Sequence, residues 1–230
     1  MSFPRNPGRY AGVLYLATSI VGAFAMIYAP GKIVMRGDAA GTAANLLAHE
    51  TLFRVTIAAQ LLSEAAFIFV ALALFELLQG VNRRQASLMV TLIVVSIPVT
   101  FVNELNYIAA LMLARGADYL SVFDKPQRDA LALLFLNLRN DGLGIAGIFW
   151  GLWLFPMALL VYRSGFLPRF LGVWLALGGV ANIVMSLTGI LVPQYAHAVF
   201  TWSQIPNFGE IALMLWLIVR GAQPEPEPTA

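Results

Sequence analysis

The sequence predicts an all-α integral membrane bundle of about six transmembrane helices, and three observations carry that reading. Of the 230 residues, 60% are hydrophobic and 11% charged, whereas soluble domains are about 25% charged. Apolar runs of about 20 residues, the length a helix needs to cross roughly 30 Å of hydrocarbon, recur along the chain. The few ionisable residues inside those runs fall at spacings that put them on common helical faces.

The first predicted span is Tyr10 to Ala29, ending at Pro30 and Gly31. Arg5 and Arg9 ahead of it imitate a secretory signal, but the run is too long and no small-x-small cleavage site follows, so it is expected to be retained. Lys32 to Thr51 is a polar connector in which Asp38 or Thr42 can cap a short helix running toward Glu50. Leu52 to Leu78 is the second span and Gly80 to Gln85, with Arg83 and Arg84, a tight basic turn. The third span, Ala86 to Leu113, contains Pro98, which removes one backbone donor and predicts a kink.

After a second polar connector, Arg115 to Asp129, comes an overlong fourth span. Either it tilts, or Pro126 to Asn137 lies along the interface and only Gly142 to Tyr162 crosses. Asn140 to Gly144 is a candidate helix break. Ser164 to Arg169 is a short basic turn, Phe170 to Leu191 the fifth span, and Ile205 to Val219 a shorter sixth. Residues 1–221 thus form one transmembrane domain, followed by a Pro/Glu tail, 222–230, whose composition predicts disorder.

Six spans put both termini on one side, expected to be the cytoplasmic face of the cell inner membrane. The 14 basic residues divide evenly between the two sides. Those on the inside crowd short turns beside span ends, where the positive-inside bias is read. There is no cysteine, which excludes disulfides and thiolate metal sites. The net charge of +2 includes no basic run of the kind that tracks phosphates, which argues against nucleic acid as a partner.

An ionisable group in hydrocarbon costs about 2.5–3.5 kcal/mol on insertion scales, so it persists where it faces protein or trapped water. Glu64 lies roughly 18 Å below the outer end of the second span, and Asn103, Glu104 and Tyr107 roughly 10 to 15 Å below that of the third. Arg139 and Asp141 interrupt the fourth. Asn182 and Ser186 mark the fifth, and Asn207 and Glu210 the sixth. Gln60 and Glu64 share a face at i, i+4; Asn103, Asn106, Tyr107 and Ala110 share one at i, i+3, i+4, i+7.

Lipid offers no hydrogen-bond partner, so these faces are expected to turn inward and form a polar pocket in the outer half of the bundle. Arg139 is expected to pair with one or two of the carboxylates, with Arg54 the second base within reach. A surplus carboxylate then takes up a proton or holds a cation. The plainer account is that the same groups only join helices, at about 0.6 kcal/mol per hydrogen bond.

Gly144, Gly147 and Gly151 form a small-residue stripe expected to admit the glycine-bearing fifth span, at Gly178 and Gly179. His49, with Glu50, and His197 fall on outer connectors. They lack the paired spacing of a zinc site, so no metal or other cofactor is predicted. Phe149, Trp150, Trp153 and Phe155 are read as packing and interfacial anchoring.

Four stretches, RYAGVLYL, GDAAGTAANLLAHETLFR, FWGLWLFPMALLVYRSGFLPRFLGVWL and NFGEIALMLWLIVRG, taken in that order, resemble the bacterial domain-of-unknown-function family 4386. The resemblance spans nearly the whole chain and implies a polytopic inner-membrane protein of bacteria. It carries over no catalytic assignment. The recurrent polar positions of those motifs fall on Asp38, Arg54, Gly165, Pro168 and Glu210.

The expected function is binding, and as an extension proton-coupled transport, of a small or amphiphilic ligand. Glu64, Asn103, Glu104, Tyr107, Arg139, Asp141, Asn182 and Glu210 line the site. Two alternatives stay open: an intramembrane enzyme acting on a lipid or isoprenoid substrate, and a membrane interaction module. The bilayer is the expected partner, and self-association is left open.

Overall fold

A computed structural model of the chain describes residues 6–223. Among the described residues every regular element is helical. Six helices follow one another: α1 (Pro7–Ile33), α2 (Ala39–Ala48), α3 (Glu50–Arg115), α4 (Lys125–Arg163), α5 (Arg169–Leu191) and α6 (Ala196–Val219). By length and composition α1, α3, α4 and α5 are each long and apolar enough to cross a membrane. The six apolar runs read from the sequence fall on five helices, because α3 changes direction at Asn82 and carries two of them.

The local chemistry of the breaks is simple. At Asn82 the backbone leaves the helical region (φ −163°, ψ 102°), and its Oδ1 accepts the Gln85 amide at 3.1 Å. One residue thus ends one limb of α3 and caps the next. Asp38 caps α2 by accepting the Gly41 amide at 2.8 Å. Thr42 is not the cap: its hydroxyl donates to the Met35 carbonyl at 3.1 Å. Gly116 closes α3 at φ +71°, the left-handed geometry that ends a helix without a Cβ penalty.

Three expectations are corrected. α1 does not stop before Pro30 but continues to Ile33 through a wide π turn, Phe24–Tyr28; the looser winding accommodates a ring that would clash with the carbonyl four residues back. α4 is continuous from Lys125 to Arg163, so the helix has no break at Asn140 to Gly144. Pro98 does not interrupt α3 either. The irregularity comes six residues later at Glu104, whose amide is shared between the Thr100 and Phe101 carbonyls at 3.2 Å each.

The chain divides into two compact units. The first gathers residues up to Thr18, Ala65–Ile97 and the chain from Gly144 onward. Its core is built on Leu74, Leu78, Met89, Trp153, Leu160, Leu171 and Leu213, with Tyr15 buried among them. Here α4 and α5 approach closely: a Cβ on Gly151 would lie 2.7 Å from the Gly179 carbonyl, and one on Gly179 2.9 Å from that of Gly151. The stripe seen in the sequence is used at Gly147 and Gly151, while Gly144 faces open space. The unit extends to Ala222, whose amide donates to Asn6 Oδ1 at 3.2 Å and whose carbonyl accepts from Gly8 at 3.0 Å. Residues 224–230 of the expected tail lie outside the described residues.

The second unit comprises Ser19–Glu64 and Pro98–Leu143. Ile33, Leu46, Phe53, Tyr107, Leu111, Ala132 and Leu136 form its apolar core. Next to it lies a set of buried polar side chains.

Candidate functional site

In the second unit the 3.6-residue period brings Thr100, Asn103, Glu104 and Tyr107 onto one face of α3, at i, i+3, i+4 and i+7. All four are buried, as is Gln60 on the preceding limb. Arg139 arrives from α4 and is 1% exposed. Its Nε donates to Glu104 Oε1 at 3.0 Å, and its Nη2 lies 2.9 Å from the same oxygen. The guanidinium plane stacks over the Tyr107 ring, 4.4 Å from Cζ to centroid. Asn103 fixes the backbone beneath it by donating to the Arg139 carbonyl at 2.8 Å, and Asn106 donates to Asn103 Oδ1 at 3.0 Å.

The pairing differs from the expected fork in which each nitrogen takes its own oxygen. Both contacts fall on Oε1. Among the described residues Glu104 Oε2 is buried and has no hydrogen-bond partner. Close by, Gln60 Nε2 donates to Glu64 Oε1 at 3.0 Å, and the Thr100 side chain also bonds that carboxyl group. Since the amide nitrogen of Gln60 is engaged by an acceptor, its orientation is set, and its Oε1 is left buried without a partner. Glu64 is half-buried and lies within electrostatic reach of both Glu104 and Arg139. The cluster therefore joins two carboxyl groups to one guanidinium and leaves two acceptor oxygens and one donor, Arg139 Nη2, without a hydrogen bond.

The remaining predicted residues are not part of this cluster. Asp141 is exposed, because two positions along a helix turn a side chain by about 200° from Arg139. Asn182 and Glu210 belong to the first unit. Asn182 donates to the Gly178 carbonyl one turn back at 3.2 Å and faces Gly151 across the α4–α5 contact. Glu210 accepts a hydrogen bond from the Tyr15 hydroxyl. Tyr15 is held edge-on by Phe67, ring centroids 5.3 Å apart. Arg54 is an exposed residue bound to Glu50 at 2.7 Å, which also takes Arg115, so it is no base for the buried carboxylates. His49 and His197 are both exposed.

Two participants escaped the sequence reading. Tyr15 sits in an apolar run whose polar neighbours at helical spacing are only the hydroxyl residues Thr18 and Ser19, so nothing local marked it as the partner of Glu210. Thr100 was legible: it stands four residues before Glu104, on the same helical face.

A family model described as a domain of unknown function, DUF4386, matches residues 10–221. The chain belongs to this family. Every residue of the polar cluster falls inside the matched DUF4386 region. The chain is also similar to an uncharacterised protein of Archaeoglobus fulgidus, 29% identical over 79 residues, which is 34% of this chain and 46% of that relative. It thus spans less than half the length of that relative. No solved structure matches the DUF4386 chain.

Proposed function

We propose that this DUF4386 protein is a multi-pass protein of the cell inner membrane that binds a small or amphiphilic ligand at the cluster of Gln60, Glu64, Glu104 and Arg139, through a positively charged, hydrogen-donating group. The carrying observation is the excess of buried acceptors without partners, Glu104 Oε2 and Gln60 Oε1, over the one buried donor without a hydrogen bond, Arg139 Nη2. A buried acceptor left unpaired costs about 1–3 kcal/mol, and what satisfies two of them is a donor. The charge count points the same way: two carboxyl groups against one guanidinium leave room for one more positive charge. An ammonium group supplies both.

An inner-membrane location with both termini cytoplasmic is supported by the arginines beside short turns, Arg83, Arg84, Arg163 and Arg169. Movement of the ligand across the membrane extends the same reading, since an ammonium and a proton compete for one carboxylate.

The test is hexylammonium titrated into the protein in nanodiscs by calorimetry, with hexanol as the uncharged counterpart. Hexylammonium is expected to bind and hexanol not. Glu64→Gln and Glu104→Gln should each weaken binding about tenfold, the loss of one charge-assisted hydrogen bond. Asp141→Asn should leave it unchanged. Equal binding of the two probes, or folded Glu64→Gln protein binding like wild type, overturns the proposal.

A further inference from the structure

The first unit carries a second feature unrelated to the polar cluster. Where α5 begins and α6 ends, a cleft of about 420 Å³ is lined by Phe170, Trp174, Leu215, Trp216 and Val219, with Arg220 at its edge. The Arg220 guanidinium lies over the Trp216 ring at 5.8 Å. Arg9 is pinned beside it: its Nε donates to the Ile218 carbonyl at 3.0 Å and its Nη2 to the Val219 carbonyl at 3.3 Å. Arg169 immediately precedes Phe170, whose ring meets the edge of Trp216 at 6.4 Å.

Two guanidinium groups, those of Arg220 and Arg9, thus lie at the end of one apolar cleft, while the Arg169 guanidinium lies over the Tyr162 ring at 5.7 Å. Among the described residues of this unit the only carboxylates are Glu76 and Glu210. Glu76 accepts from Gln79 at 2.6 Å, and Glu210 is taken by Tyr15. None of the three arginines makes an ion pair with a carboxylate among the described residues. Like charges held together by backbone carbonyls and an indole face repel unless an anion joins them. The cleft below is apolar and flanked by two tryptophans, a residue enriched at the headgroup level of bilayers.

We infer that this cleft is a binding site for one anionic phospholipid, its acyl chain against Phe170, Trp174 and Leu215 and its phosphate between Arg220 and Arg9. The site reads headgroup charge by its arginines and takes any chain that fills the apolar groove. It is independent of the ammonium-binding cluster and stands whether or not that cluster binds a ligand.

The experiment is native mass spectrometry of the full chain with phosphatidylglycerol and phosphatidylcholine of identical chains. Phosphatidylglycerol is expected to be retained through detergent exchange as a one-to-one adduct. Arg220→Gln should lower that retention about fivefold, the effect of one basic residue on an anionic lipid, and Arg220→Lys should restore most of it. Ala212→Trp, which fills the cleft, should remove the adduct for either headgroup. Arg83→Gln, at the α3 turn and outside the cleft, should change nothing. Equal retention of the two lipids overturns the inference. So does an Arg83→Gln effect as large as that of Arg220→Gln, which marks unspecific attraction to the basic surface. Helical circular dichroism of each variant separates a lost site from a lost fold.

Discussion

Arg139 and Glu104, 35 positions apart in the chain, form an ion pair with side chains only 1% and 2% exposed. Removing one partner from such a pair leaves an uncompensated buried charge, which costs about 3–5 kcal/mol. Glu104→Ala is therefore expected to lower the unfolding midpoint sharply. The double variant Glu104→Leu with Arg139→Met should recover most of the loss, because apolar groups of similar volume replace a buried pair with little penalty. Thermal unfolding in one detergent checks this. A double variant as unstable as the single one shows that the pair does not govern stability.

The α4–α5 contact separates three glycines that look alike in the sequence. A Cβ on Gly151 meets the Gly179 carbonyl and Ile183 Cγ1, both at 2.7 Å, and Asn182 Cβ at 3.2 Å, whereas one on Gly144 meets nothing within 4 Å. Backbone cannot rotate away as a flexible side chain can, so Gly151→Ala is expected to cost about 1–3 kcal/mol through overpacking. Gly144→Ala should be neutral or stabilising by up to about 1 kcal/mol, from helix propensity. The two unfolding midpoints, compared side by side, decide the matter. Equal shifts would mean that the stripe acts as a whole.

What could be read from the sequence was local or periodic. Asp38 was recognisable as a cap because the bond it makes is to an amide three residues on. The faces holding Gln60, Glu64, Asn103 and Tyr107 were recognisable because helical geometry alone aligns them. Asp141 could have been separated from Arg139 by the same rule, since positions i and i+2 never share a helical face. Its grouping with the buried charges came from reading depth without azimuth. The match of Glu210 to Tyr15 and of Arg139 to Glu104 depends on which helices become neighbours. No spacing within one helix carries that information.

Tyr15 and Glu210 give a prediction of opposite character, because only one of the two need be ionisable. Tyr15→Phe removes the donor and leaves a carboxylate without it, at about 1–3 kcal/mol. Glu210→Gln keeps an acceptor for the same hydroxyl and should cost less. Unfolding midpoints ranked wild type, then Glu210→Gln, then Tyr15→Phe are expected. A Glu210→Gln variant less stable than Tyr15→Phe means that the carboxylate holds something other than Tyr15.

Asn82 supports the sharpest prediction about folding. As one straight helix, the 66 residues of α3 would extend roughly 100 Å at 1.5 Å per residue, several times the thickness of a bilayer core of about 30 Å. The reversal rests on a single residue in extended geometry (φ −163°), a conformation open to any side chain, so the choice of Asn reflects its bond to the Gln85 amide. Asn82→Ala loses that cap, at about 1 kcal/mol, and puts the best helix former at the point where the helix must end. Asn82→Ser keeps an oxygen in capping range. Trypsin cleavage after Arg83 and Arg84 reports the opening of this turn, and it is expected to speed up in Asn82→Ala and to stay near the wild-type rate in Asn82→Ser. Identical cleavage of all three proteins places the cause of the reversal in the packing of the two limbs, with the cap incidental.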